Sequence, residues 1–450
     1  MNFEALRAIV GAAHVLTDPS VTESYAVDWT GRFAGTTPAV VRPATTAEVS
    51  EVIGWCVANA VAVVPQGGNT GLVGGSVPLA GELVLSLRRI ASLSSVDEVA
   101  GQLTVGAGVT IADVQRAARA VDWDYGVDWG ARDTATVGGS IATNAGGSKV
   151  ARYGDTRAQV LGVEAVLGDG SVVSHLDGLV KDNTGYHLPS LLCGSEGTLG
   201  IVTAARLRLV PRFDERVVAL LGFAGVDDAL IACGTLRRNL PSLEAAELFF
   251  DDGLALVRST FGLPMPLSAP AVAYLLVECA DRVDPADALA STVAGLGAVD
   301  VAVATAAGRR AELWRYREAH TDAINQIGPP HKLDVTLPGG ALAEFADSVR
   351  IRVLAVEPSA HVWLFGHAAD GNLHVNVTGV DPADERIDSA VLELVAELGG
   401  SISAEHGIGT AKKHWLHLNR SVPEIAAMRA IKRALDPAGI LNPNALLPAT

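Results

Sequence analysis

The sequence predicts a mixed α+β protein built from more than one domain. Three observations lead there. The chain has 450 residues, more than one hydrophobic core usually organises, and 49% of them are hydrophobic with only 5% aromatic. Between Ala39 and Val64, strand, helix and strand patterns follow one another as a β-α-β unit. Beyond a boundary at Pro211–Glu215 the order is β-α-β-β, which suits a mainly antiparallel sheet with helices on one face.

Charge and composition exclude several classes. A formal net charge of −16 argues against nucleic acid or an anionic membrane surface as partner, since both need a basic patch. Cys56, Cys193, Cys233 and Cys279 are far apart and form no Cys-x-x-Cys, so they read as small buried hydrophobes in a reducing compartment. The N-terminus carries Glu4 and lacks a long apolar core, which makes it a poor secretion signal. No run approaches the roughly 18 apolar residues that span a bilayer. A cytoplasmic location is the expectation.

The first half of the chain alternates elements with small-residue segments. Phe3–Val15 has helical spacing, and Ala39–Arg42 is a short strand. Thr46 is expected to cap a helix running to Ala60, with Glu48 in its first turn, where negative charge suits the helix dipole. Val61–Val64 is a buried strand. It leads into Pro65–Ser76, whose five glycines leave few Cβ atoms to obstruct a ligand. That segment matches neither the Walker pattern nor G-x-G-x-x-G before a helix, and a flexible surface loop would look the same. Leu83–Leu87 and Leu103–Gly106 read as strands and Ile111–Ala120 as a helix. A second small-residue segment spans Thr134–Gly147. Gln159–Leu167 and Ser171–His175 form a hairpin around Asp169-Gly170. A third segment, Gly194–Val202, enters a strand that ends near Val210-Pro211. Three such segments, each beside a strand, suggest one long polar ligand, and a dinucleotide fits better than a mononucleotide.

The second half follows the boundary. Val217–Phe223, Leu243–Phe249 and Ala271–Cys279 read as strands and Asp227–Leu240 as a helix. A helix over Ala311–Gln326 places Arg317 and Thr321 on one face, and Lys332 follows the Pro329-Pro330 break. An anion site and a solvated helix face both satisfy that spacing. Pro423–Ala434 is a helix, and Leu435–Pro443 is a closing loop.

The strongest chemical signal is His361–Thr378. Two strands, His361–His367 and Leu373–Thr378, are joined through Asp370-Gly371, the signal of a two-residue turn with positive φ at both positions. In that register His367 faces His374, with Cβ atoms roughly 4.5–5.5 Å apart, and Asn376 points to the same face. Two imidazoles so held can share a divalent metal at about 2.0–2.1 Å. Downstream, Glu405 in Ser403–Gly409 is a candidate oxygen ligand. Two His plus a carboxylate is the composition of a catalytic metal site. Ordinary half-buried polar residues are the alternative.

Seven stretches together resemble a known family: PQGGNTGLVGGSVP, TVGGSIATNAGG, KDNTGYHL, CGSEGTLGIVT, HAADGNLHVNVT, SAEHGIG and LDPAGILNPN. In this order and spacing the chain from about Ala39 to Pro443 resembles the FAD-linked oxidoreductases of the vanillyl-alcohol-oxidase superfamily, and within them the D-2-hydroxyglutarate dehydrogenase branch. The resemblance implies a PCMH-type FAD-binding domain of two α/β subdomains over 1–212 and an α+β substrate domain with an antiparallel sheet over 213–400. A C-terminal segment, 401–450, would return to the flavin. It assigns Gln66, Gly67, Gly68, Asn69, Thr70 and Gly71 to the FAD pyrophosphate. Thr136, Gly138, Gly139, Ser140, Ala142 and Thr143 would hold the rest of the cofactor with Glu196, Gly200 and Ile201, joined by Asn442 of the closing loop. Some relatives attach FAD through a histidine in the first loop. Asn69 stands in that region here, so the expectation is non-covalent FAD.

Carried over residue by residue, the resemblance makes His367, His374 and Glu405 the ligands of a divalent metal, usually zinc. His406 becomes the general base and a substrate contact. Arg317, Thr321, Lys332 and Asn376 become substrate-binding residues. The implied reaction oxidises a D-2-hydroxy acid, D-2-hydroxyglutarate foremost, with hydride passing to flavin N5, metal activation of the hydroxyl and His406 taking its proton. D-lactate or glycolate is the alternative substrate. A non-catalytic flavin-binding subunit is the remote alternative, expected to lose the His/His/Glu-His set that this chain keeps. Electrons would leave to a separate acceptor, an electron-transfer flavoprotein or a quinone, and a homodimer would be ordinary. Two positions depart from the family's pattern: Ala369, where relatives often have Gly, and His187, where they often have Asp.

Overall fold

A computed structural model describes residues 2–448, and the chain divides into two compact units. One comprises residues 1–147, 153–212 and 405–450; the other comprises 148–152 and 213–404.

The first unit holds two four-stranded sheets. One runs in the order Val15–Leu16, Val40–Val41, Leu83–Ser86, Val63–Gln66. Leu83–Ser86 pairs in parallel with both of its neighbours, so it separates the two strands of the β-α-β unit. The helix between those strands, Thr46–Asn59, buries Val49, Val52, Ile53 and Cys56 at amphipathic spacing. Its cap is Thr45 rather than Thr46. Thr45 Oγ1 accepts from the Glu48 amide at 3.1 Å, and Glu48 reaches back to the Ala44 amide at 2.7 Å. Thr46 Oγ1 instead donates to Glu164 at 2.5 Å, joining the helix to the second sheet. At the N-terminus the helix stops at Val10, because Gly11 turns the chain at φ +87° into a 3-10 turn and the strand Val15–Leu16. The second sheet is antiparallel, in the order Gln102–Gly106, Ile201–Arg208, Val160–Val166, Val172–His175.

The second unit is a seven-stranded antiparallel sheet. Its order is Asp300–Ala304, Glu215–Phe223, Ala273–Asp281, Leu243–Phe250, His361–His367, Asn372–Thr378, His331–Thr336. Helices cover it on both faces, not one. Leu243–Phe250 is buried at every position, so successive side chains meet protein on opposite sides. On one face Phe249, Leu276 and Phe365 pack with Leu254, Leu313, Tyr316 and Ile324. The helices Val226–Asn239, Leu342–Val356 and Glu385–Glu397 contribute nothing to that cluster and contact the sheet elsewhere. The expected β-α-β-β order also omits a helix, Asp251–Phe261, which starts directly after Phe250. The helix expected over Ala311–Gln326 is two, Ala307–Glu318 and His320–Ile327, separated at Ala319. No helix among the described residues is long and apolar enough to cross a membrane.

Candidate active site

In the second unit the sheet sets polar residues out in rows. Glu247 faces His367, His367 faces Asn372, and Asn372 faces Thr336. The next row is Phe365, His374 and Asp334, and the one beyond it is Trp363, Asn376 and Lys332. Residues two apart along a strand share a face, and each step is about 6.6–6.8 Å. The three rows therefore line one surface.

The hairpin register differs from the expected one. His367 pairs with Asn372, and Phe365 pairs with His374. The loop has four residues, Ala368–Gly371, because only Gly371 adopts positive φ (+79°). Asp370 does not, so the two-residue turn cannot form. Asp370 instead accepts from the Asn372 amide at 3.2 Å, an Asx-type turn. His367 and His374 still meet diagonally, edge to face, with ring centroids 5.3 Å apart.

Each of these imidazoles is held by a carboxylate. His367 Nδ1 lies 2.6 Å from Glu247 Oε1, and His374 Nδ1 lies 3.2 Å from Asp334 Oδ1. Carboxylates accept, so Nδ1 of each ring is the donor, which makes Nε2 the nitrogen that would face a metal. That donor set suits zinc, a borderline-soft ion at home with neutral imidazole and carboxylate. Asp334 is fully buried and takes a second bond from Asn372 Nδ2 at 2.7 Å. Burial pushes the Glu247 carboxyl upwards, but His367 and Arg317 outweigh it and hold it below the ordinary glutamate range.

The four residues expected to bind substrate fall on this unit. Arg317 is buried, its Nη2 is 2.8 Å from Glu247 Oε2, and its guanidinium lies 4.7 Å over the Phe365 ring. Asn376, also buried, stands opposite Lys332. Burial pushes the Lys332 ammonium below its usual pKa, against the pull of Asp322. Thr321 is half-buried one turn beyond Arg317, past the Ala319 break. Behind Arg317, His320 is buried between Phe249 and Phe365, and burial drives its pKa down to about 3, so it is neutral.

In the first unit the three small-residue segments converge. A Cβ on Gly67 would lie 2.2 Å from Thr136 Oγ1, and one on Gly68 would lie 2.2 Å from the Thr134 carbonyl oxygen. Close approach of two loops is thus what these glycines permit. Thr136 caps the helix Val137–Thr143, which carries Gly138, Gly139, Ser140 and Ala142. The Ala142 carbonyl accepts from the Glu196 amide at 2.8 Å. Gln66 Nε2 donates to the carbonyls of Tyr25 and Ser76, and Asn69, at φ +56°, donates to that of Val27. Thr70 is half-buried and Gly71 exposed. Gly200 packs against Leu192, and Ile201 opens its strand. Asn442 Nδ2 donates to the carbonyls of Gly75 and Glu196.

Glu196 does something the sequence reading did not anticipate. It is buried at φ +52°, and its carboxylate accepts from the amides of Ile408 and Gly409 at 2.8 and 2.7 Å. It thereby anchors the segment that carries Glu405 and His406. Burial pushes its pKa up to about 6, with the two amides and Lys412 opposing. Glu405 Oε1 accepts from the Gly147 amide at 2.7 Å, and His406 is half-buried. His187, the departure from Asp, caps Leu188–Leu192 by accepting from the Ser190 amide at 3.2 Å, the role an Asp would fill. Ala369 is buried in the hairpin loop.

Sequence reasoning missed Glu247 and Asp334. Lys332, Asp334 and Thr336 alternate along one strand, a period-two signal that could have revealed Asp334. Glu247 sits in a strand whose register shifts between Leu243 and Ala245 and has no such signal.

Two family profiles match the chain: "FAD binding domain" over residues 37–175, and "FAD linked oxidases, C-terminal domain" over residues 213–446. A D-2-hydroxyglutarate dehydrogenase of Xanthomonas citri pv. viticola is 39% identical over 98% of this chain and 96% of its own. The mitochondrial D-2-hydroxyglutarate dehydrogenase of Bos taurus is 38% identical over 99% of this chain and 83% of its own. Among solved structures, p-cresol methylhydroxylase with substrate bound superposes with a TM-score of 0.77 at 17% identity, over 98% of this chain and 95% of that one. At that identity the likeness concerns the fold.

Proposed function

The chain belongs to the FAD-linked oxidase family, and from that premise we propose that it oxidises D-2-hydroxyglutarate to 2-oxoglutarate. As a member it is an FAD-dependent oxidoreductase acting on a CH–OH group. One observation carries the choice of substrate. Lys332 and Asn376 stand one row beyond Asp334 and His374, and two rows beyond His367, on the same sheet face. A step of about 6.6–6.8 Å suits the two carboxylates of a five-carbon diacid.

FAD supplies a two-electron oxidant when bound, and a divalent metal, zinc by the donor chemistry above, supplies Lewis-acid activation of the hydroxyl. His367, His374 and Glu405 would hold the metal. Support for Glu405 comes from the chain itself: the Ala404 amide donates to the Asp334 carbonyl at 3.3 Å, and Glu405 is the next residue. Glu247 and Asp334 fix the tautomers of the two imidazoles. Arg317 grips a carboxylate, with a guanidinium that offers several donors in one plane. Lys332 pairs the distal carboxylate beside Asn376, and Thr321, one turn beyond Arg317, would add a hydroxyl to substrate binding. His406 accepts the hydroxyl proton, a task suited to an imidazole near neutral pH. Asn69 stands where some relatives carry a cofactor-linking histidine, which supports non-covalent FAD. The reduced cofactor is reoxidised by a separate flavoprotein or quinone, because the sequence carries no iron–sulfur cysteine pattern.

Substrate profiling tests this. D-2-hydroxyglutarate should exceed D-lactate in kcat/KM by about 100-fold or more, because lactate has no second carboxylate to offer Lys332. Equal efficiency would move the assignment to a monocarboxylate substrate.

A further inference from the structure

Glu247 is a buried acid in the second unit's polar rows, and its two oxygens have different partners. Its side chain is 1% exposed, inside a strand with every residue buried. Oε1 lies 2.6 Å from His367 Nδ1 and Oε2 lies 2.8 Å from Arg317 Nη2. His367 and Glu247 face one another in register on adjacent strands, whereas Arg317 comes from a helix on that same face of the sheet. The guanidinium is fixed further by the Phe365 ring beneath it. Its Nε is buried with no hydrogen-bond partner, so it keeps donor capacity for a ligand.

A buried ion pair is weak as a stabilising device, since desolvation offsets most of the attraction. What it does well is fix geometry. One carboxylate committed at both oxygens sets the imidazole and the guanidinium at a defined separation, although they are 50 residues apart in sequence. We propose that Glu247 is a shared positioning residue that couples the metal-binding imidazole of His367 to the carboxylate-binding guanidinium of Arg317. This rests on the function proposed above and adds to it. Glu247 holds the proton on His367 Nδ1, so that Nε2 faces the metal, and with its other oxygen it aims Arg317 at the substrate. The distance between metal and substrate carboxylate is thereby a property of one side chain rather than of a strand and a helix separately. Removing it should disturb both bindings together.

The test uses the full-length, FAD-loaded protein with two variants, Glu247→Gln and Glu247→Asp. Zinc affinity is measured by chelator competition with no hydroxy acid present. KM for D-2-hydroxyglutarate is then measured at saturating zinc, which removes the metal contribution and leaves the Arg317 contribution. Glu247→Gln should lose roughly 10- to 100-fold in zinc affinity. Its KM should rise while its flavin content stays at the wild-type level. Glu247→Asp keeps the charge but is one methylene too short to reach both partners, so at least one readout must move even if the Gln variant fails to fold. Unchanged zinc affinity and unchanged KM in a folded variant overturn the proposal and reduce Glu247 to a structural residue. If the wild-type protein itself takes up no zinc, the metal assignment falls and the coupling with it. That outcome is read in the wild type and is distinct from failure in the variants.

Discussion

Lys332 and Asn376 stand directly opposite one another on neighbouring strands, one row beyond Asp334 and His374. The ammonium is half-buried, and burial lowers its pKa, so it gains most from an anionic partner. Lys332→Met should lower kcat/KM for D-2-hydroxyglutarate by roughly 10- to 100-fold, the worth of one charge-assisted hydrogen bond of about 1.5–3 kcal/mol. D-2-hydroxybutyrate, which lacks the distal carboxylate, should be turned over as by wild type. An equal loss on both substrates would show that Lys332 does not read the second carboxylate.

Removing the metal should stop turnover reversibly. Treatment with a strong chelator should abolish activity, and added zinc should restore it. His367→Ala and His374→Ala should not recover. Asp334→Asn, which weakens the acceptor on His374 Nδ1, should lower metal affinity by roughly 10- to 100-fold while the protein stays folded. Normal turnover by metal-free protein would contradict the ligand assignment.

Glu196 predicts a pH dependence of stability. Its folded pKa, about 6, is raised above the ordinary value of 4.5. A group raised in this way contributes stability that is complete below pH 4.5 and is lost as pH climbs through 6. The distance between the two values corresponds to roughly 2 kcal/mol. Glu196→Gln cannot titrate. The stability of wild type relative to Glu196→Gln should therefore fall by about that amount between pH 4.5 and 7, read from denaturant midpoints. A difference that is flat with pH would show that the carboxyl is not perturbed.

The Gly-rich loop separates packing from exposure. A Cβ on Gly68 meets the Thr134 carbonyl at 2.2 Å, whereas one on Gly71 meets nothing within 4 Å. Gly68→Ala should drive the two loops apart, at about 1–3 kcal/mol, and lose FAD on gel filtration. Gly71→Ala should unfold at the wild-type temperature. Retention of FAD by Gly68→Ala would argue that this loop does not build the cofactor site.

Local pattern made much of this legible. The β-α-β unit, the hairpin His361–Thr378 and the three small-residue segments each carry their signal within one short continuous stretch of chain. Pairings across the chain do not. Glu247 lies 120 residues from His367, and no spacing rule connects them. The hairpin register differs because Asp370-Gly371 carries the signal of a two-residue turn, whereas the turn in the chain spans Ala368–Gly371. Thr45 and Thr46 are both good caps, and only the distant Glu164 decides which one is free to cap. The second covered face of the large sheet was in fact visible, since VVALLGF and AYLLV are continuous apolar runs rather than alternating ones.

The most direct measurement is anaerobic mixing of the purified, FAD-loaded protein with D-2-hydroxyglutarate, following flavin absorbance with and without chelator. Bleaching by the D-enantiomer, none by the L-enantiomer, and loss of bleaching on chelation are the predicted results. A flavin that is present but stays oxidised with D-2-hydroxyglutarate, zinc included, would contradict the proposed reaction.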